Sequence, residues 1–337
     1  MQRALELSEN GRGTVSPNPM VGCVIVHDGE IIGEGWTQPY GGAHAEVHAI
    51  SNIVDHTLLA NSTAYVTLEP CAHFGKTPPC ADLLVSHQLQ RVVIACLDPN
   101  PLVAGKGITK LKDAGISVKT GLLEEEAIEI NRRFFTSIHK ARPYIILKWA
   151  ETKDGFIART NFDSKWISNE YSRKLVHQWR AEEDAIMVGT NTAKHDDPGL
   201  NVRDWEGTDP IRVVIDKQLS LSKTLKLFNG NQPTICYNLI ESEKIGNTFF
   251  VKIDKDNFLE GLLIDLHNRK IQSVIVEGGA MLLQSLIDKN LWDEARIFIG
   301  DVTFGEGIDK PKIQGTLVSE QDIQGDGLKI IRNTEKK

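Results

Sequence analysis

One imidazole and two thiols constrain this chain more than any other feature: His44, Cys71 and Cys80. If they bind one metal ion, everything between them must fold so that three side chains meet at a point. One His and two Cys, with a fourth position open, is the ligand set of a catalytic rather than a structural zinc. Such a metal lowers the pKa of its water to roughly 7, and a base must still accept the water's proton and pass it to a leaving group. Glu46, two residues after His44, is the candidate. Two rival readings fail on spacing. A zinc-protease helix carries Glu directly after its first His, whereas here the Glu lies midway between His44 and His48. A Cys-x-x-Cys ribbon is excluded by the long segment between Cys71 and Cys80. His73 stays open as a fourth protein ligand, which would close the site into a structural one.

His-x-Glu followed by Pro-Cys and a second Cys is the arrangement of zinc nucleobase deaminases. A helix is expected from His44 to about Val54, with Ala45, Val47, Ala49, Ile50 and Ile53 as its apolar set. Residues two apart on a helix point about 200° apart, so His44 and Glu46 converge only if the metal sits over the first turn. The apolar run Ala64 to Leu68 reads as a buried strand that delivers Cys71 to the mouth of the next helix, where the positive helix end favours thiolate. Cys80 opens a helix over 80–88.

At 337 residues the chain suits two domains, each able to bury its own core. An apolar content of 41% and a charged content of 25% are those of a globular protein. No run of about 18 apolar residues occurs, and the opening residues lack the apolar core of a signal peptide. A cytoplasmic protein without membrane attachment is therefore expected. Five cysteines, two of them assigned to the metal, fit a reducing compartment, with Cys23, Cys96 and Cys236 as small buried apolar residues. The net charge of −7 is shared by both halves with no basic stripe, so nucleic acid is not an expected partner.

Strands alternate with helices along the chain, which predicts a mostly parallel sheet. Asp28-Gly29 marks a hairpin. A charged helix is expected from Leu122 to His139, and Lys140-Ala141-Arg142-Pro143 is the expected boundary between domains 1–143 and 144–337. In the second domain, strands are expected at 144–150, 185–189, 211–216, 273–277 and 295–299, with a polar loop from His195 to Arg203. The Gly-x-Gly-x-x-Gly fingerprint is missing. Glu277-Gly278-Gly279 stands at a strand-to-helix junction and is either a tight turn or a place where phosphate meets helix amides.

Ser16-Pro17-Asn18-Pro19, His44-Ala45-Glu46-Val47-His48-Ala49, Thr67-Leu68-Glu69-Pro70-Cys71 and Lys76-Thr77-Pro78-Pro79-Cys80 resemble the deaminase half of the bifunctional riboflavin-biosynthesis deaminase–reductases. Asp154-Gly155, Ser164-Lys165-Trp166-Ile167-Ser168, Asp196-Asp197-Pro198 and Val276-Glu277-Gly278-Gly279 resemble the reductase half. The resemblance implies an α/β protein: a cytidine-deaminase-like three-layer α/β/α domain, then a dihydrofolate-reductase-like α/β domain.

It implies one zinc ion per chain on His44, Cys71 and Cys80, and Glu46 as the proton carrier. Asn18, His73 and Lys76 would hold a pyrimidine ribotide for deamination. Ala150, Trp166, Thr192, Asp196, Gly279, Ala280, Met281, Leu282, Leu283, Gln284 and Ser285 would line an NADPH site. Ser164, Arg180, Leu200, Arg203 and Glu277 would hold the ribotide whose ribosyl group is reduced to ribityl. A guanidinium grips phosphate in a bidentate way, which suits Arg180 and Arg203 to the 5′-phosphate. The plainer readings are surface ion pairs for the two arginines and a core position for Trp166. A homo-oligomer, dimer or tetramer, is the expected assembly. The rival functions are a deaminase of another base with an inactive second domain, and a non-catalytic zinc-stabilised module. Phe74, Lys76, Thr152-Lys153 and Asp301 depart from the family's usual pattern of His, Arg, Ser-Leu and Pro at those places.

Overall fold

The computed structural model describes residues 1–74, 78–101, 103–164 and 166–334. The chain divides into two compact units, Met1–Ala141 and Arg142–Lys337. The division falls inside the Lys140–Pro143 segment.

The first unit runs α1 (Gln2–Ser8), β1 (Gly22–His27), β2 (Glu30–Trp36), α2 (Ala45–Ser51), β3 (Thr63–Leu68), α3 (Cys80–Ser86), β4 (Arg91–Cys96), α4 (Lys106–Asp113), β5 (Ser117–Thr120), α5 (Glu124–Ile130) and α6 (Arg132–Lys140). Its sheet has the order β2-β1-β3-β4-β5. The expected parallel character is only half realised. The Asp28-Gly29 hairpin makes β1 and β2 antiparallel, β1 and β3 are antiparallel too, and β3, β4 and β5 are parallel. Alternate residues of β1 face opposite layers. Cys23 and Ile25 join the core beneath α2, while Val24 packs with Ala4 and Leu7 of α1. Helices α2, α3 and α4 pack together, and α1 packs with α5, giving three layers.

The approach of α2 to the sheet is close. A Cβ on Gly35 would stand 2.3 Å from the Ala49 nitrogen and 2.6 Å from the Ala45 carbonyl, so this strand position admits glycine only. The expected continuous helix 122–139 is two helices. Asn131 (φ −95°, ψ 16°) separates them, and its amide bridges to Met20, accepting from its N–H at 2.8 Å and donating to its carbonyl at 2.9 Å. Asn prefers such local bonds to a helix interior.

The second unit runs β6 (Tyr144–Thr152), β7 (Phe156–Ala158), α7 (Glu170–Glu182), β8 (Ala185–Gly189), α8 (Thr190–Asp196), β9 (Ile211–Ile215), β10 (Thr234–Asn238), β11 (Glu243–Ile245), β12 (Thr248–Lys252), α9 (Phe258–Asn268), β13 (Ser273–Val276), α10 (Ala280–Asp288), β14 (Glu294–Gly300), β15 (Ile308–Asp309), β16 (Thr316–Ile323) and β17 (Asp326–Arg332). Ten strands form one sheet in the order β11-β12-β10-β9-β8-β13-β6-β14-β17-β16. Strands β12 to β14 in that order are parallel, and antiparallel strands edge both sides. The parallel strands are apolar on both faces, as burial between two helix layers requires. Ile145 and Leu147 lie in one core cluster and Tyr144 and Ile146 in another. His195 and Asp196, expected to open a polar loop, instead close the short helix α8 (Thr190–Asp196).

A buried ion pair fastens the start of this unit. Arg142 donates to both carboxylate oxygens of Asp293 at 2.6 and 2.9 Å, and the Ile145 amide adds a third bond at 2.8 Å. Asp293→Asn leaves the guanidinium buried without its countercharge and should cost about 3 kcal/mol. Thermal unfolding should show this as a lower midpoint, and an unchanged midpoint would mean that the pair contributes nothing net.

Candidate active sites

His44 caps α2 in an extended conformation (φ −70°, ψ 162°), while Glu46 lies in the first helical turn. The residue that leaves the helical spiral is thus the one that must, and the condition set by the 200° spacing is met. His44 Nδ1 stands 3.2 Å from Cys80 Sγ and 3.6 Å from Cys71 Sγ. All three donor atoms lie within 4.8 Å of one another. Zinc bonds of about 2.0 Å to nitrogen and 2.3 Å to sulfur in a tetrahedron put N and S about 3.5 Å apart, so this donor set fits zinc.

His48 faces elsewhere. Its Nδ1 lies 2.9 Å from Gln38 Nε2, and its ring meets Trp36 edge-on at 4.7 Å. His73 is exposed and outside the three-donor group, and Asn18 is half-buried. Lys76 falls outside the described residues.

Cys71 does not begin the next helix; Cys80 does. The helix end reaches Cys71 through space instead, since the Cys80 amide donates to Cys71 Sγ at 3.3 Å. The Cys80 thiol and the His44 ring, outweighing burial, hold the Cys71 thiol down at about 4. Glu46 is 3% exposed. Burial first, and the Cys71 thiolate second, push its carboxyl up.

Beneath the metal ligands lies a carboxylate that sequence reading passed over. Glu69, two residues before Cys71, is buried and accepts four backbone N–H bonds, from Asp98 (3.4 Å), Gly105 (3.0 Å), Gly107 (3.0 Å) and Ile108 (3.3 Å). The amides of Asp98, Gly105, Gly107 and Ile108 thus converge on a carboxylate two residues before Cys71, so this stretch is more than a connection.

The second unit holds a cavity of about 1000 Å³ above the ends of β6, β8, β9 and β13. In open α/β sheets ligands bind at the carboxyl ends of the strands. Ser164, Arg180, Arg203 and Glu277 line it, as do Ala150, Trp166, Thr192, Asp196, Gly279, Ala280, Met281, Leu282, Leu283 and Ser285. Leu200 and Gln284 do not. Leu200 is 2% exposed within the core, with positive φ (52°), and Gln284 turns to Asp288 and Lys312. Trp166 is 67% exposed and stacks with Arg173 at 4.7 Å, which rules out the core reading.

Gly278 has φ 117°, open to glycine alone, and the Gly279 amide donates to Thr192 Oγ1 at 2.9 Å. The glycine pair thus joins the start of α10 to α8 and leaves the first-turn residues Ala280 and Met281 on the cavity wall. A nine-residue helix starting bare at a cavity this large fits the phosphates of a dinucleotide.

Arg180 is not a surface ion-pair residue. It donates to both oxygens of the buried Glu277 at 2.8 Å. Lys148, unremarked in the sequence because it sits in an apolar strand, lies 3.8 Å from the same carboxylate. Burial alone would raise Glu277, but the charges of Arg180 and Lys148 outweigh it and hold the carboxyl at about 2. Burial lowers Lys148, partly offset by Glu277.

The departures at Lys153 and Asp301 meet each other: their side chains form an exposed ion pair, and the Lys153 amide donates to the Val302 carbonyl at 2.9 Å. Neither lines the cavity.

A zinc-deaminase site and a dinucleotide-sized cavity in consecutive units describe a two-domain deaminase–reductase. Comparisons agree. Residues 1–96 match the cytidine and deoxycytidylate deaminase zinc-binding region, and residues 143–331 match the RibD C-terminal domain. The riboflavin biosynthesis protein RibD of Aquifex aeolicus is 42% identical over 91% of this chain and 88% of its own length. That of Escherichia coli is 37% identical over 90% and 88%. The crystal structure of the Thermotoga maritima diaminohydroxyphosphoribosylaminopyrimidine deaminase/5-amino-6-(5-phosphoribosylamino)uracil reductase superposes with a TM-score of 0.91, at 37% identity over 99% of this chain and 97% of that one. The chain belongs to the RibD family of bifunctional riboflavin-biosynthesis enzymes, with a zinc-dependent deaminase domain and an NADPH-dependent reductase domain. Among the described residues no helix is long and apolar enough to cross a membrane.

Glu69→Ala should weaken zinc binding by about ten- to a hundredfold, because residues that orient a metal's ligands carry such effects. Competition against a colorimetric chelator measures it, and wild-type affinity would show that Cys71 holds its place without Glu69.

Proposed function

We propose that residues 1–143 deaminate 2,5-diamino-6-(5-phosphoribosylamino)pyrimidin-4(3H)-one, and that residues 144–337 reduce the ribosyl group of the product, 5-amino-6-(5-phosphoribosylamino)uracil, to ribityl. The observation that carries the reading is the convergence of His44, Cys71 and Cys80 beside the buried Glu46. When bound, zinc supplies an acidified water and NADPH supplies a hydride for C1′ of the ribosyl group. Glu46 accepts the water's proton and passes it to the ring nitrogen, then takes the proton of the newly added hydroxyl and passes it to the departing ammonia. Asn18, His73 and Lys76 are assigned to holding the ribotide, Lys76 by its charge.

In the second unit Ser164, Arg180, Leu200, Arg203 and Glu277 are assigned to the ribotide. Burial of Leu200 supports a contact through its backbone only. Arg203 is exposed at the cavity wall, so its guanidinium is available to a phosphate, whereas that of Arg180 is shared with Glu277. Catalysis there is chiefly the positioning of cofactor and ribotide. We further infer a homo-oligomer in the cytoplasm. The edge strand β16 supports self-association, since Leu317 and Val318 are exposed on an open sheet edge. Sedimentation of the purified protein tests it.

A coupled assay on zinc-replete protein, following ammonia and absorbance at the NADPH band together, tests the whole. Ammonia without NADPH loss would overturn the reductase half, and neither signal would return the zinc site to a structural role. Glu46→Gln should lower ammonia release by about a hundredfold or more while zinc content stays at wild type; loss of zinc would instead make Glu46 a ligand. Arg203→Ala should raise KM for the ribotide about tenfold or more, with KM for NADPH little changed. An unaltered ribotide KM would remove the phosphate from Arg203.

A further inference from the structure

The reductase cavity is lined by Lys148, Arg173, Arg180, Arg203 and Lys217 among the cations of the described residues. Four of these have occupations at one end. Lys148 and Arg180 flank Glu277, Arg173 donates to the Ser168 carbonyl at 2.7 Å and stacks on Trp166, and Arg203 stands on the loop assigned to the ribotide phosphate. Lys217 is different. It follows β9, is exposed, and its ammonium lies 4.9 Å from the centre of the Phe258 ring. Phe258 is 4% exposed, so the ammonium stands over a fixed ring.

The sheet order measures its distance from the other end. From β9 to β6 the order is β9-β8-β13-β6. Three strand spacings put Lys217 and Lys148 about 14 Å apart across the sheet. The start of α10, with the Gly279 amide bonded to Thr192, lies between them. A dinucleotide whose phosphates meet α10, and whose nicotinamide faces the ribotide, therefore carries its adenosine ribose toward Lys217.

The neighbouring acid points the same way. Where a strand-end carboxylate is free, it accepts the ribose 2′-hydroxyl and favours NADH. Asp216 follows β9 at the cavity wall, but its carboxylate accepts from the Ser220 amide (3.0 Å), the Ser220 hydroxyl (3.0 Å) and the Leu221 amide (2.8 Å). Its oxygens are committed, and the group left facing the cavity is an ammonium.

We propose that Lys217 is the specificity residue that reads the 2′-phosphate of the cofactor, and so discriminates NADPH from NADH. The proposal rests on the ribotide lying at the Arg180–Arg203 end. The test uses the full-length protein and no ribotide: titration of each reduced dinucleotide by its fluorescence. Lys217→Ala should raise the Kd for NADPH about tenfold or more while that for NADH stays at wild type, and Lys217→Arg should restore the preference. The unchanged NADH affinity serves as the control for folding. An equal loss for both dinucleotides, or no loss for either, would overturn the proposal. The KM of Arg203→Ala for the ribotide separately tests the reading beneath it: if that KM rises and Lys217→Ala has no effect, the ribotide assignment stands and only the Lys217 proposal falls.

Discussion

The seating of α2 on β2 is the contact on which the first unit's chemistry depends. Helix and strand backbones touch at Gly35, so the helix start that carries His44 and Glu46 has one depth relative to the sheet. Strand β3 leaves the same sheet and carries Glu69 and Cys71, and α3 packs beside α2 with Cys80 at its first residue. Three ligands on three elements can share one ion only if those elements are mutually fixed. Glu69, two residues before Cys71, is itself held by four backbone amides.

The second unit solves a different problem, the burial of charge beside a cavity. Glu277, Arg180 and Lys148 would each be costly alone in an apolar setting. Together the bidentate pair and the nearby ammonium compensate one another, and the site keeps fixed charges ready before any ligand arrives. Placing the cluster at a strand end, next to a glycine junction that opens a helix, puts fixed charge and bare helix amides on the wall of one cavity.

Legibility in the sequence followed the range of the interactions. The three-donor cluster of His44, Cys71 and Cys80 and the hairpin at Asp28-Gly29 come from local signals, and each stands where local chemistry put it. Lys148 was hidden because one polar residue in the apolar run Tyr144 to Trp149 reads as an interruption of a strand, not as a wall residue. Glu69 looked like part of a cysteine motif, and nothing nearby in sequence supplies its four donors. The break at Asn131 depends on Met20, more than a hundred positions away. Trp166, evenly balanced as a core residue, became a surface platform once Arg173 stacked on it.

What the sequence determined by itself was the ligand chemistry: one His, two Cys and a Glu at a spacing that suits an open zinc site, followed by a second domain with a glycine junction at a strand end. Tertiary structure alone decided which charges meet. It turned Arg180 to Glu277, committed the Asp216 carboxylate to Ser220 and Leu221, and placed Lys217 on the cavity wall. The physical reason is that a side chain's role depends on the partner that compensates its charge. Partners such as Arg180 and Glu277, on separate elements far apart in the chain, become neighbours only when the sheet is assembled.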